Sequence, residues 1–336
     1  MKKASIKDVA LKAEVSTALV SYVMNNKHIN RISKETAERV RQAAKELNYR
    51  PNKIAQSLKS NKTNTIALLV ADISNPFASQ IARIIEDETS KRGYAVLIGS
   101  SDENPEKLQQ LIEVFLNRQV DGFIIIPVIN SENSIKELIK TKIPVVLIDR
   151  YFNDVQVPVI TTNNYGISYQ SIEYLIKTGK KNIGILVYDV ELAHLKERIK
   201  GYRRALEDRG LPFRDENIKF INEKNIQAEV EKAMDELLKN NNNSIDAIFF
   251  TTNKLAIAGL KNIVKRDIKI PQEIAILTFD ESEAFEVFNP PLTYIKQPLQ
   301  EISKESVEIL MQIIENKNLN HKPRVFNSKL MIRQST

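Results

Sequence analysis

The sequence predicts an α/β protein in which a small all-α headpiece precedes a doubly wound core. Three observations predict it. The first fifty residues hold three short helical patterns, and from Thr65 onward apolar runs alternate with amphipathic segments at a spacing of roughly thirty residues. The charge also divides the chain. Residues 1–62 carry 14 Lys and Arg against 5 Asp and Glu, whereas residues 63–336 carry 35 against 37. The whole formal excess of +7 therefore originates in the first fifth. Such a footprint suits a polyanion, because each neutralised phosphate releases condensed counterions.

In the headpiece Ser5 is placed to cap a helix, and Ile6, Val9, Ala10 and Ala13 follow at the spacing of one buried face. Glu14, Val15 and Ser16 form a tight connection, with Ser16 suited to cap a second helix from Thr17 to about Met24. Val20 and Val23 face inward there. A third helix after Ser33 turns Ala37, Val40, Ala44 and Leu47 inward. Two short helices joined by three residues make a helix-turn-helix, whose second helix enters the major groove of DNA. Its outward face presents Thr17, Ala18, Ser21 and Tyr22, with Asn25 at its end. Thr17 can donate or accept, Ala18 can touch a thymine methyl, and the Tyr22 hydroxyl reaches a base or a phosphate unless its ring only packs on the helix flank.

Continuous apolar runs such as TIALLVA, DGFIIIP, IPVVLID, DAIFFT and IAILTFD suit parallel strands covered on both faces. Helical segments fall between them, at 77–92, 106–118, 165–178 and 195–209. There are strands enough for two sheets, the first ending near Val159, with late strands near 292–297 and 326–330. Ligands of such sheets bind outside the carboxyl ends of the strands. Those ends carry Asp72, Asn75 and Phe77, then Asp102, then Asp149 with Arg150, and later Asn253 and Asp280, while Arg198 precedes a helix. Carboxylates, an amide and a guanidinium hold vicinal hydroxyls by paired hydrogen bonds, and an aromatic ring covers an apolar sugar face.

Several chemistries are excluded. Without cysteine there is no disulfide, thiolate metal site or cysteine nucleophile. None of the nine glycines forms a GxG pair, no GxxxxGK[ST] occurs, and His28, His194 and His321 stand isolated, each expected at the surface. No enzyme, cofactor or metal is expected. The run Ile66 to Ala71 is far short of the ~20 residues that span a bilayer, and no apolar segment follows the lysines of MKKASIKDVA, so a cytoplasmic protein with no membrane attachment is expected.

The stretches IKDVALKAEVSTALVSYVMN and RISKETAERVRQAAKELNYRPNKIAQSLKS, followed by TIALLVADISNPF, resemble the LacI/GalR family of repressors, and the similarity continues along the whole chain. Glu14 departs from the usual Gly or Asn, Leu19 from Thr, Tyr22 from a base-reading Arg or His, and Lys254 from Asp. The resemblance implies a headpiece at 1–50, a hinge helix and linker at 51–63, and a two-lobed, periplasmic-binding-protein-like core at 64–336. Lobe 1 is expected at about 64–160 plus 292–322, and lobe 2 at about 161–291 plus 323–336. It implies DNA contacts from Ser5, Ser16, Thr17, Ala18, Ser21, Tyr22 and Asn25 and from hinge residues Asn52, Ala55, Gln56 and Leu58, the last wedged between base pairs of the minor groove. Among the strand-end residues it selects Asn75, Phe77, Asp149, Arg150, Arg198, Asn253 and Asp280 for the effector, with Phe220 as either a pocket wall or core.

A homodimer on a palindromic operator follows, with the helix at 77–92 and the segment after Asp102 as the dimer surface. The effector expected is a sugar, or a sugar acid or phosphate in view of Lys254, Arg150 and Arg198. Two alternatives remain open: a two-lobed sugar receptor without a DNA role, and a catabolite regulator that uses a protein corepressor.

Overall fold

The structure, a computed structural model, describes residues 4–49, 62–238, 244–316 and 323–336. The chain divides into two compact units, Met1–Thr63 and Asn64–Thr336.

In the first unit α1 (Ile6–Lys12), α2 (Thr17–Met24) and α3 (Lys34–Glu46) enclose a core of Val9, Ala10, Ala13, Val20, Val23, Ala37, Val40, Ala43 and Ala44. Each helix starts on a serine. Ser5 accepts from the Asp8 amide while the Asp8 carboxylate takes the Ser5 amide at 2.7 Å, and Ser16 and Ser33 accept from the amides of Leu19 and Thr36 at 3.2 and 3.1 Å. Such caps satisfy amides that have no partner within the helix. Glu14, between α1 and α2, has φ +55°, the left-handed conformation that favours glycine or asparagine, so its departure from the usual residue costs backbone strain.

The described residues of the second unit form two six-stranded sheets. The first has the order β11-β5-β4-β3-β1-β2, and the second β12-β10-β9-β8-β6-β7. In the first, β1 (Thr65–Val70), β2 (Ala95–Ser100), β3 (Gly122–Ile125), β4 (Val145–Ile148), β5 (Val159–Thr162) and β11 (Arg324–Phe326) run parallel. The second holds β6 (Ile183–Tyr188), β7 (Ile218–Ile221), β8 (Ala247–Phe250), β9 (Ala275–Phe279) and β10 (Thr293–Lys296), closed by an antiparallel β12 (Lys329–Met331). Strands β3, β4, β5, β8 and β9 are buried along their whole length, the condition of sheets covered on both faces.

Among the described residues nine further α-helices follow in chain order: α4 (Pro76–Ser90), α5 (Pro105–Asn117), α6 (Glu132–Lys140), α7 (Asn164–Lys177), α8 (Ala193–Asp208), α9 (Ile226–Leu238), α10 (Asn253–Lys265), α11 (Glu283–Val287) and α12 (Leu299–Ile314).

The chain crosses between lobes after β5, after β10 and after β11. This corrects the expected lobe limits. Residues 293–296 were placed in lobe 1 but pair with β9 of the second sheet, and residues 324–326 were placed in lobe 2 but pair with β5 of the first. The physical reason is continuity: β9, α11 and β10 make one more crossover unit of the second sheet before α12 returns to pack on β3 and β4.

Candidate effector cleft and DNA-reading face

The carboxyl ends of the central strands converge on a cavity of about 510 Å³, lined from both lobes. That size suits a small-molecule site. Backbone geometry marks the same ends. Asp102, Glu103, Asp149 and Asp280 have φ of +53°, +56°, +65° and +72°. Left-handed backbone at non-glycine residues is costly and gathers at functional sites.

Arg198, on α8, is the buried centre of the cleft. Its Nε donates to Asn164 Oδ1 at 2.9 Å, its Nη1 to the Thr251 carbonyl at 2.6 Å, and its guanidinium lies 3.3 Å from the centroid of the Phe279 ring. Burial pushes its pKa down to about 10, against the pull of Asp280 and Asp149. Both of those carboxyls are in turn raised by burial, with the Arg198 charge opposing the rise. Asp280 accepts from Gln297 Nε2 at 2.6 Å and from the Asn253 amide. Gln297 also accepts from the Thr162 hydroxyl at 3.3 Å, so one amide side chain ties two of the lobe crossovers to the cleft floor.

Arg150 forms a two-pronged ion pair with Glu103, at 2.7 and 2.8 Å. Burial works against its charge, and the Glu103 carboxylate more than restores it. Such planar pairs are stronger and better fixed than single contacts. Lys254 pairs with Asp72 from the other lobe. Of the three cations behind the option of an acidic effector, Arg150 and Lys254 are thus each paired with a carboxylate of the protein, and Arg198 lies in the field of Asp280 and Asp149.

Of the expected effector residues, Asn75, Phe77, Asp149, Arg150, Arg198 and Asp280 line the cavity, as do Asp72 and Asp102. Asn75 also caps α4, accepting from the Phe77 amide at 3.1 Å. Asn253 does not line it. Its side-chain Nδ2 is buried without a partner among the described residues, and its contribution is the backbone amide given to Asp280. Phe220 is 55% exposed on β7 and belongs to neither cavity nor core.

His194 overturns an expectation. The sequence places it at the surface, yet it is 6% exposed, lines the cavity from the first turn of α8, and has a buried Nδ1 without a partner among the described residues. Burial, then the Arg198 and Arg150 charges, hold its pKa well below the ordinary value. Exposed His28 fits the expectation, and His321 lies outside the described residues. Glu103, Glu223 and Gln297 also line the cavity without having been anticipated. All three stand within three residues of a strand end, Glu103 after β2, Glu223 after β7 and Gln297 directly after β10, and that position is the sequence signal they offered.

On the headpiece Thr17, Ala18 and Tyr22 are exposed on α2. Ser21 and Asn25 are half-buried and bonded to each other, Asn25 Nδ2 donating to the Ser21 carbonyl at 2.7 Å. Ser5 and Ser16 serve as helix caps, which leaves them at helix N-termini, where phosphates are well received. The Tyr22 ring meets the edge of His28 at 5.2 Å. Asn52, Ala55, Gln56 and Leu58 lie outside the described residues.

Residues 5–52 match the family described as bacterial regulatory proteins, lacI family, and residues 63–334 match that described as periplasmic binding proteins and sugar binding domain of LacI family. Catabolite control protein A of Priestia megaterium is 32% identical, over 99% of both chains. The repressor PurR of Aliivibrio fischeri (strain MJ11) is 32% identical over 96% of this chain and 95% of its own, and the repressor CytR of Escherichia coli (strain K12) 30% over 99% and 96%. Among solved structures, a transcriptional regulator CelR–cellobiose complex covers 99% of this chain and 100% of its own at TM-score 0.74 and 25% identity. The lac repressor dimer bound to operator and the anti-inducer ONPF shares the fold at TM-score 0.83 and 20% identity, covering 99% of each chain.

Proposed function

The chain belongs to the LacI family of bacterial regulatory proteins, and from that premise we propose that this DNA-binding transcription regulator is a homodimeric repressor of carbohydrate uptake or catabolic genes, released by an uncharged sugar. The observation that carries the effector class is the charge matching of the cleft. Arg150 is held by Glu103 and Lys254 by Asp72, and Arg198 faces Asp149 and Asp280. Lys224 adds a fourth cation to the lining, but six carboxyl groups, Asp72, Asp102, Glu103, Asp149, Glu223 and Asp280, outnumber the four, so a phosphate or carboxylate entering there meets an excess of acids. A polyol meets donors and acceptors on both lobes, with the Phe77 ring at the wall. The cellobiose complex of one structural relative and the D-xylulofuranose complex of another support a sugar as the ligand.

The protein works in the cytoplasm, on a palindromic operator. Thr17, Ala18 and Tyr22 read the major groove, and Asn52, Ala55, Gln56 and Leu58 engage the minor groove between half-sites. The α4 face and the segment after Asp102 join the two copies. By linkage, an inducing sugar binds more tightly to the DNA-free arrangement.

The test is operator binding by fluorescence anisotropy at stated salt, using DNA upstream of the neighbouring genes, with calorimetric titration of neutral mono- and disaccharides and of their phosphorylated counterparts. Neutral sugars should bind and weaken the operator complex. Selective binding of a sugar phosphate would overturn the effector class, and absence of any specific DNA complex would overturn the repressor.

A further inference from the structure

We propose that Asp72 and Lys254 form an electrostatic latch across the mouth of the cleft, which holds the two lobes closed independently of which ligand enters. Asp72 belongs to the first lobe, just past β1, and Lys254 to the first turn of α10 in the second. Their side chains are in contact, both line the cavity, and neither lies on a crossover segment. The two ends are separately fixed. An Asp72 oxygen accepts the Ser74 amide at 2.8 Å, and Thr252 caps α10 beside Lys254. The pair exists only when the lobes are together, so its free energy is added to the closed arrangement alone.

Something opposes it. Glu103 of lobe 1 and Glu223 of lobe 2 both line the cavity, and Glu223 is raised above the ordinary carboxylate range by burial and by the nearby Glu103 charge. Like charges facing across the cleft favour opening. Lys254 and Arg150 sit on opposite lobes and each relieves that repulsion. Closure is thereby set by a balance of charges and responds to ionic strength, because the Lys254 side chain is 39% exposed and open to screening. For a pair this exposed the expected effect on the closed-to-open ratio is modest, about two- to fivefold.

The absence of cysteine from the chain permits clean spin labelling at Gln109→Cys on α5 and Gln227→Cys on α9, both exposed and on opposite lobes. Distances would be measured on the full-length protein without ligand, in 50 mM and 1 M salt. In low salt the unaltered pair should give a larger short-distance fraction than Lys254→Gln or Lys254→Asp, and high salt should remove the difference. The exchange Asp72→Lys with Lys254→Asp should restore the short distance. Unchanged distributions in both single variants, or no recovery in the exchange, would overturn the latch. Lys254→Gln keeps the length of the side chain close to the original, so its result stands if a charge reversal fails to fold.

Discussion

His194 is the residue whose environment departs furthest from its isolation in the sequence. Burial beside Arg198 and Arg150 keeps the imidazole neutral in the folded chain, whereas the unfolded chain titrates near 6.5. The unfolded state therefore binds the proton first. Stability contributed by the neutral ring is complete above 6.5 and declines as the pH falls below it, by about 1.4 kcal/mol per unit. Asp149 and Asp280 act in the other direction, since their folded pKa values are raised and the stability of the protonated forms is lost as the pH rises. Comparing the unaltered chain with His194→Gln isolates the ring: the loss of denaturation midpoint between pH 7 and pH 5.5 should be smaller in the variant. An equal loss would show that His194 is not the titrating group. Asp149 and Asp280 were legible in the sequence because they end apolar strands, a position with chemical meaning. His194 was not, because its role comes from burial beside Arg198 and Arg150, and Gln297, although it closes the expected strand 292–297, takes its role from Asp280 and from Thr162 across a crossover.

At the scale of elements, the contact of α7 with α8 decides where the cleft residues point. Gly201 allows that contact. A Cβ there would stand 2.4 Å from the Tyr165 carbonyl oxygen and 2.9 Å from Ser168 Cβ and the Tyr169 nitrogen, two of them backbone atoms that cannot swing aside. The same two helices carry Arg198 and the Asn164 amide that holds it. Gly201→Ala should therefore destabilise the core by about 1–3 kcal/mol, read from urea unfolding, and weaken sugar binding by displacing the guanidinium. Stability within a few tenths of a kcal/mol of the unaltered chain would mean that the helices separate at little cost. The long elements were readable from periodicity, with helix limits within two residues of those observed at α4, α5, α7 and α8. Of the short strands, β10 was expected at 292–297, whereas the strand expected at 326–330 straddles the end of β11 and the start of β12, and a three- or four-residue strand carries no mark of the sheet it joins. Its partner is chosen by the path of the preceding crossover, which explains the interchange of the two.

Across the whole molecule, the charge boundary near residue 62 and the division into Met1–Thr63 and Asn64–Thr336 separate a reader from a sensor. Paired substitutions test that separation. Leu58→Ala removes the proposed wedge from the minor groove, and a lost wedge forfeits the bend-dependent contacts that offset unstacking. Specific operator affinity should fall at least about tenfold. The slope of affinity against salt should stay nearly constant, because the phosphate contacts of the basic headpiece remain. Sugar affinity should be untouched. Arg198→Ala should leave the ligand-free operator complex within about threefold of the unaltered protein, yet abolish its release by the sugar, since the effector can shift the equilibrium only by its differential affinity for the two arrangements. Anisotropy for the operator and calorimetry for the sugar, run on both variants, give four readings with two losses expected on opposite corners. Losses on all four would mean that the proposed hinge and cleft are one cooperative unit, and that the division suggested by charge has no mechanical counterpart.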